Sequence, residues 1–142
     1  MAKVEGEKRS MLSKAEKGLG VKDLKFRFSI GAEDMHYPGE MISGCKLIEK
    51  CIDCCTELCN IRDNGDGGLI VHIDADIVHP AHVLDAVEVI CWSIKDGSRS
   101  RLYGFEMYKT SEYDQETDRS EVFDEAVLTV KGTVVFVVDD PQ

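Results

Sequence analysis

The apolar positions of this chain change period once along its length, and that change orders the expected fold. Leu24, Phe26, Phe28 and Ile30 alternate with Lys25, Arg27 and Ser29 and stop at Gly31, the period of two of a half-buried strand. A polar stretch from Ala32 to Glu40, containing Pro38-Gly39, reads as a loop. From Met41 to Ile61 the period becomes helical. At about 100° per residue, Gly44, Leu47, Ile48, Cys51, Cys54, Cys55, Leu58 and Cys59 form one stripe, with Lys46, Glu49, Lys50, Asp53, Glu57 and Asn60 opposite. Asn64-Gly65-Asp66-Gly67-Gly68 ends this helix. Strands are then expected at about 69–77, about 83–95, about 99–110 and about 126–138, with Asp96-Gly97 as a turn.

One strand, one long helix and four strands running as a meander is the order of an α+β domain in which a curved antiparallel sheet wraps a single helix, the hotdog arrangement. With 142 residues there is room for one such domain. Residues 1–23 read as a mobile leader and 24–142 as the domain, because residues 1–25 carry seven bases among scattered apolar residues and three glycines. So small a domain leaves a sheet edge open, which makes a homodimer or higher homo-oligomer the expected state.

Charge narrows the partners. The formal net charge is −10, so a phosphate polymer is repelled and nucleic acid is set aside. Seven acids between Glu112 and Glu125, with Arg119 the one base among them, read as a solvated loop. The longest apolar run is Val134 to Val138, far short of the roughly 18 residues of a membrane span, and the N-terminal residues lack the apolar core of a signal peptide. Six cysteines without such a peptide point to a reducing, cytoplasmic setting. Cys45, Cys51, Cys54, Cys55 and Cys59 raise the question of a metal or redox site. One straight helix cannot easily wrap thiolates tetrahedrally around an ion, so they are read as packing residues, with no metal assigned.

The densest chemistry lies in Glu33-Asp34-Met35-His36-Tyr37-Pro38-Gly39-Glu40, the loop that enters the helix. Unpaired backbone N–H groups at a helix start suit a carbonyl oxygen that becomes negative during reaction, and Gly39 allows close approach. His36 is a candidate base and Tyr37 a candidate donor. The bland alternative is a Pro-Gly turn with a capping histidine and a packed tyrosine. Glu49, Asp53 and Glu57 recur every four residues; they are either a solvated face or carboxylates that a dimer would desolvate and bias toward proton transfer. His79 and His82 flank Pro80-Ala81 without a clear third ligand and read as turn residues.

His36-Tyr37-x-Gly39-x-x-Ile42-x-Gly44, continuing ungapped to Asp53-x-x-Thr56-Glu57-Leu58, resembles the small hotdog enzymes that eliminate ammonia from β-aminoacyl-CoA thioesters, the β-alanyl-CoA and 3-aminobutyryl-CoA ammonia-lyases of amino-acid fermentation. The similarity runs from about Lys25 to Lys109 and includes Asp63-x-Gly65-Asp66, Asp76-Ile77 and Phe105-Glu106-x-Tyr108-Lys109. His36-Tyr37-Pro38-Gly39 followed by Gly44 and Glu49 also resembles the β-hydroxyacyl thioester dehydratases, in which a loop histidine and a helix carboxylate divide the acid and base work. Where the lyases place an aromatic, a proline and Gly-Asp, this chain has His79-Pro80-Ala81-His82-Val83-Leu84-Asp85.

The resemblance implies a lyase that converts a β-aminoacyl-CoA into an enoyl-CoA and ammonia, with CoA entering only as part of the substrate and no separate cofactor. Backbone donors near Tyr37 to Glu40, with Gly39, Glu40 and Gly44 at the carbonyl, are the expected oxyanion and substrate contacts. Glu57, Asp53 or Glu49 is the expected base, His36 or Tyr37 aids orientation or the leaving group, and Asp34 holds the ammonium. Lys46, Arg62, Lys95, Arg99, Arg101 and Lys109 are the bases available for CoA phosphates. The alternatives are an acyl-CoA thioesterase using the same donors and a non-catalytic acyl-CoA-binding subunit.

Overall fold

The structure, a computed structural model, describes residues 5–9, 16–34 and 41–141. Strand β1 (Asp23–Ser29) leads through a short turn (Ala32–Asp34) to helix α1 (Gly44–Arg62), followed by β2 (Leu69–Ile77), β3 (Ala86–Asp96), β4 (Ser100–Asp114) and β5 (Arg119–Val137). The strands form one antiparallel sheet in the order β1-β3-β4-β5-β2. One face of that sheet carries α1. This is the hotdog fold expected from the element order.

The helical stripe is the buried face. Leu47, Cys51, Cys54, Cys55, Leu58 and Cys59 meet the inward residues of the sheet, Val87, Val89 and Cys91 on β3, Tyr103, Phe105 and Met107 on β4, and Val130, Val134 and Phe136 on β5. Cysteine side chains are short, so the helix lies close to the sheet: the Cys54 and Cys91 Sγ atoms are 3.3 Å apart. Burial pushes the Cys51 thiol up to about 12 and the Cys59 thiol to about 11. At neutral pH both are protonated packing groups rather than nucleophiles. Cys45, off the stripe, is exposed.

The structure corrects four boundaries. The helix begins at Gly44 rather than Met41, because Ser43 is extended (ψ 137°) and its hydroxyl accepts a hydrogen bond from the Cys45 N–H at 3.2 Å. Met41 instead bridges to His82. Strand β3 begins at Ala86 rather than at about residue 83, since residues 82–85 turn, with Leu84 at φ 70°. The acidic run is not a loop. Ser111, Glu112, Tyr113 and Asp114 pair with Val122, Glu121, Ser120 and Arg119, so β4 and β5 continue into a hairpin. Backbone pairing needs no apolar face, and these carboxylates sit in solvent while the main chain completes the ladder.

Residues 18–22, read from sequence as part of the leader, are tied to the fold. The Gly18 N–H donates to Ile61 O at 3.0 Å, and the Ser93 N–H to Lys22 O at 2.8 Å. At this end of the helix two arginines are fully buried. Arg62 grips Asp96 with both terminal nitrogens (2.9 and 2.7 Å), and also donates to the Tyr103 hydroxyl and Leu19 O, each at 3.2 Å. Arg101 grips Asp63 at 2.8 and 2.7 Å and donates to Gly97 O and Ser100 O.

Two outcomes follow from this packing. Arg101→Leu removes the guanidinium that grips the buried Asp63 carboxylate and is expected to lower unfolding stability by about 3–5 kcal/mol. Arg101→Leu/Asp63→Leu loses less than the sum of the two single changes; additive losses in urea unfolding would show that the two do not act as a pair. In the native protein, a thiol-specific disulfide reagent is expected to titrate Cys45 rapidly and the five buried cysteines only after denaturation. Fast reaction of a second thiol would contradict the packing assigned to the stripe.

Candidate functional site

The loop entering α1 is held at both ends by one turn, residues 81–85. On the entry side the Ile30 N–H donates to Asp85 O at 2.9 Å, and the Leu84 N–H to Ile30 O at 2.8 Å. On the exit side the Ile42 N–H donates to Ala81 O at 2.9 Å, beside the Met41–His82 bridge. The turn is itself fixed by Asp85, whose carboxylate accepts from the His82 N–H at 2.8 Å and the Tyr113 N–H at 3.4 Å. Lys109 Nζ lies 3.1 Å from the same carboxylate, with both side chains 1% exposed. His36, Tyr37, Gly39 and Glu40 lie outside the described residues, as does the side chain of Asp34.

Gly44 opens the helix against β2. A Cβ there would overlap the terminal methyl group of Ile77, which would have to turn aside. Next to the contact is a cavity of about 280 Å³ lined by Met41, Ile42, Gly44, Leu47, Ile77, Val78, His79 and Pro80. Thr129 O fixes its outer wall, accepting from the Val78 N–H at 2.9 Å and the His79 N–H at 3.4 Å. Ligand pockets for drug-sized molecules span about 300–1,000 Å³, so the cavity suits a short acyl chain. It lies against the open edge of the sheet, where Val71, Ile73, Ile77 and Val78 are exposed.

The three helix carboxylates share the exposed flank but not one place on it. At about 1.5 Å of rise per residue, Glu49, Asp53 and Glu57 stand about 8, 14 and 20 Å along the axis from Gly44. Glu49 is paired with Lys46 at 3.2 Å. Asp53 reaches solvent, yet the helix flank partly shields it, and that desolvation raises its carboxyl above the usual aspartate value. Glu49 adds to the rise, while Lys50 and Lys46 oppose it. Glu57 instead lines a separate cavity of about 630 Å³ at the other end of the helix, with Lys17, Asn60, Arg62 and Asn64.

Several bases expected to be available for CoA phosphates are committed elsewhere. Arg62, Arg101 and Lys109 are buried against Asp96, Asp63 and Asp85. Arg99 pairs with Asp139 at 3.0 Å and donates to Val138 O. Sequence could not show this, because each partner lies 24 to 40 positions away. Among the described residues no group of three or more His, Cys, Asp or Glu side chains is placed to hold a metal ion, and no helix is long and apolar enough to cross a membrane.

No protein-family model and no curated protein matches the chain. Solved structures do. β-Alanyl-CoA:ammonia lyase from Clostridium propionicum is similar with a TM-score of 0.78 and 27% identity, over 85% of this chain and 91% of that one. Zebra fish thioesterase superfamily member 2 has a TM-score of 0.62 at 10% identity, covering 89% and 78%. An acyl-CoA hydrolase from Staphylococcus aureus, solved with butyryl coenzyme A and coenzyme A, has a TM-score of 0.64 at 10% identity, covering 84% and 68%. The thioesterase likenesses speak for the fold alone, whereas the first joins fold to sequence. The chain is a hotdog-fold protein, and within that fold it resembles the β-aminoacyl-CoA ammonia-lyases.

Proposed function

We propose that the protein is a CoA-thioester lyase that eliminates ammonia from a short β-aminoacyl-CoA to give an enoyl-CoA. The observation that carries this reading is the likeness to β-alanyl-CoA:ammonia lyase over nearly the whole of both chains. The short-chain cavity at the start of α1 supports it.

In this reading a base removes the α-proton. The electrons of that C–H bond form the new double bond, the Cβ–N bond breaks, and nitrogen departs as ammonia. Developing charge on the thioester oxygen is met by backbone donors of the loop and helix start, around Tyr37 to Glu40 and Gly44. Asp53 is the carboxylate we place as base, since partial desolvation and the neighbouring Glu49 raise its carboxyl above the usual aspartate value. Glu49 stands closer to the cavity and is the next candidate; Glu57 opens on the other cavity and fits least well. His36, Tyr37 and Asp34 orient the substrate and its leaving group.

The site is completed by a second copy. Strand β2 is an open edge with exposed Leu69, Val71, Ile73 and Ile77, the kind of edge that pairs with another sheet. An acyl-CoA thioesterase of this fold has been solved as a hexamer, which supports a homodimer or a larger assembly of dimers. The runner-up activity is thioester hydrolysis, favoured by the fold shared with acyl-CoA hydrolases.

Incubation with β-alanyl-CoA, 3-aminobutyryl-CoA and a plain acyl-CoA is expected to yield ammonia and conjugated enoyl thioester from the first two, with no free thiol. Thiol release from the plain acyl-CoA would move the assignment to hydrolysis. Asp53→Asn is expected to lower kcat by about 10²–10⁴-fold; an unchanged kcat would remove Asp53 as the base. Val71→Lys places a charge on the open edge and is expected to convert the assembly to monomers in light scattering, with loss of turnover. An assembly unaffected by the change would exclude β2 as the joining edge.

A further inference from the structure

The cavity at the helix start is apolar apart from one side chain. Met41, Ile42, Leu47, Ile77, Val78 and Pro80 bring hydrocarbon, and His79 is the one polar side chain among the described residues that line it. The imidazole makes no hydrogen bond or ion pair with any described residue, although His79 is half-buried. Its backbone is fixed on β5 by the bond to Thr129 O, so the residue is held in place without engaging its ring. A half-buried polar group without a hydrogen-bond partner among the described residues is open to a ligand that enters the cavity.

The cavity offers an acyl chain two unlike surfaces. An unsubstituted chain gains from the hydrocarbon walls and asks nothing of His79. A chain with an amino or hydroxyl group loses water from that group on entry and needs a partner inside, or binding suffers. An imidazole nitrogen with its lone pair accepts a hydrogen bond from an ammonium or hydroxyl, and the other nitrogen donates.

We infer that His79 is a specificity-determining residue of the acyl cavity, which selects short acyl thioesters carrying a hydrogen-bonding substituent at the β-carbon over plain acyl thioesters. This rests on the reading of the cavity as the acyl site of a CoA-thioester enzyme. It assigns a role to a residue that sequence alone presents as part of a turn.

The test uses two unreactive thioethers, S-(3-aminopropyl)-CoA and S-propyl-CoA, which match a β-alanyl and a plain three-carbon chain in length. Their dissociation constants are measured by calorimetry on the full-length protein and on His79→Leu and His79→Asn. In His79→Leu the ratio of the two affinities is expected to move by on the order of tenfold against the aminopropyl compound, with propyl binding within about twofold of the original. His79→Asn, which keeps a hydrogen-bonding group, retains part of the preference. If the ratio is the same in His79→Leu and the original protein, His79 is not the determinant, while the acyl-site reading stands. If neither thioether binds the original protein, the CoA-thioester reading falls and this inference with it. Should His79→Leu fail to fold, the ring proton signals of His79 in the original protein decide. They are expected to shift further with the aminopropyl than with the propyl compound, and equal shifts overturn the inference.

Discussion

The carboxylate of Asp85, buried against Lys109, is the contact on which the geometry of the candidate site depends. Each ion alone would be costly to remove from water, and together they are tolerable because the charges neutralise each other and the carboxylate also accepts two backbone hydrogen bonds. What the pair secures is a turn with Leu84 at a left-handed φ of 70°, a conformation that costs a non-glycine residue roughly 1–2 kcal/mol. That turn receives both the end of β1 and the residues just before α1. The intervening segment therefore starts and finishes at fixed points, whatever path it takes between them.

A second pair of buried ion pairs does comparable work at the far end of the helix. Arg62 with Asp96 and Arg101 with Asp63 fasten the last turn of α1 to the β3–β4 hairpin and to residues 18–22. Between the two anchors the contact is made by small sulfur-bearing side chains that bring helix and sheet close. The helix is thus pinned at one end and clamped along its length, and at its start Gly44 lies against the Ile77 side chain of β2.

Much of this was legible in the chain. The 3.6-residue stripe located α1 and separated its buried cysteines from its exposed carboxylates, a period-two run located β1 to within a residue, and the strand expected at about 69–77 is β2. The hairpin between Ser111 and Val122 was not legible, because a solvated ladder leaves no apolar alternation to read. Ser43 carried a cap signal that the apolar run beginning at Met41 concealed. Arg62, Arg101 and Lys109 looked like free surface charge, since nothing local marks a base whose acid arrives from another strand.

The sequence by itself determined the order of elements, the face the helix buries and the class of chemistry its loop and helix motifs resemble, because periodicity and short motifs are properties of neighbouring residues. Tertiary structure alone decided which charges are consumed in holding the fold. It also decided that His79 joins a hydrocarbon-lined cavity. Those outcomes depend on strands that meet only after the sheet has formed, and no local pattern encodes the distance between them.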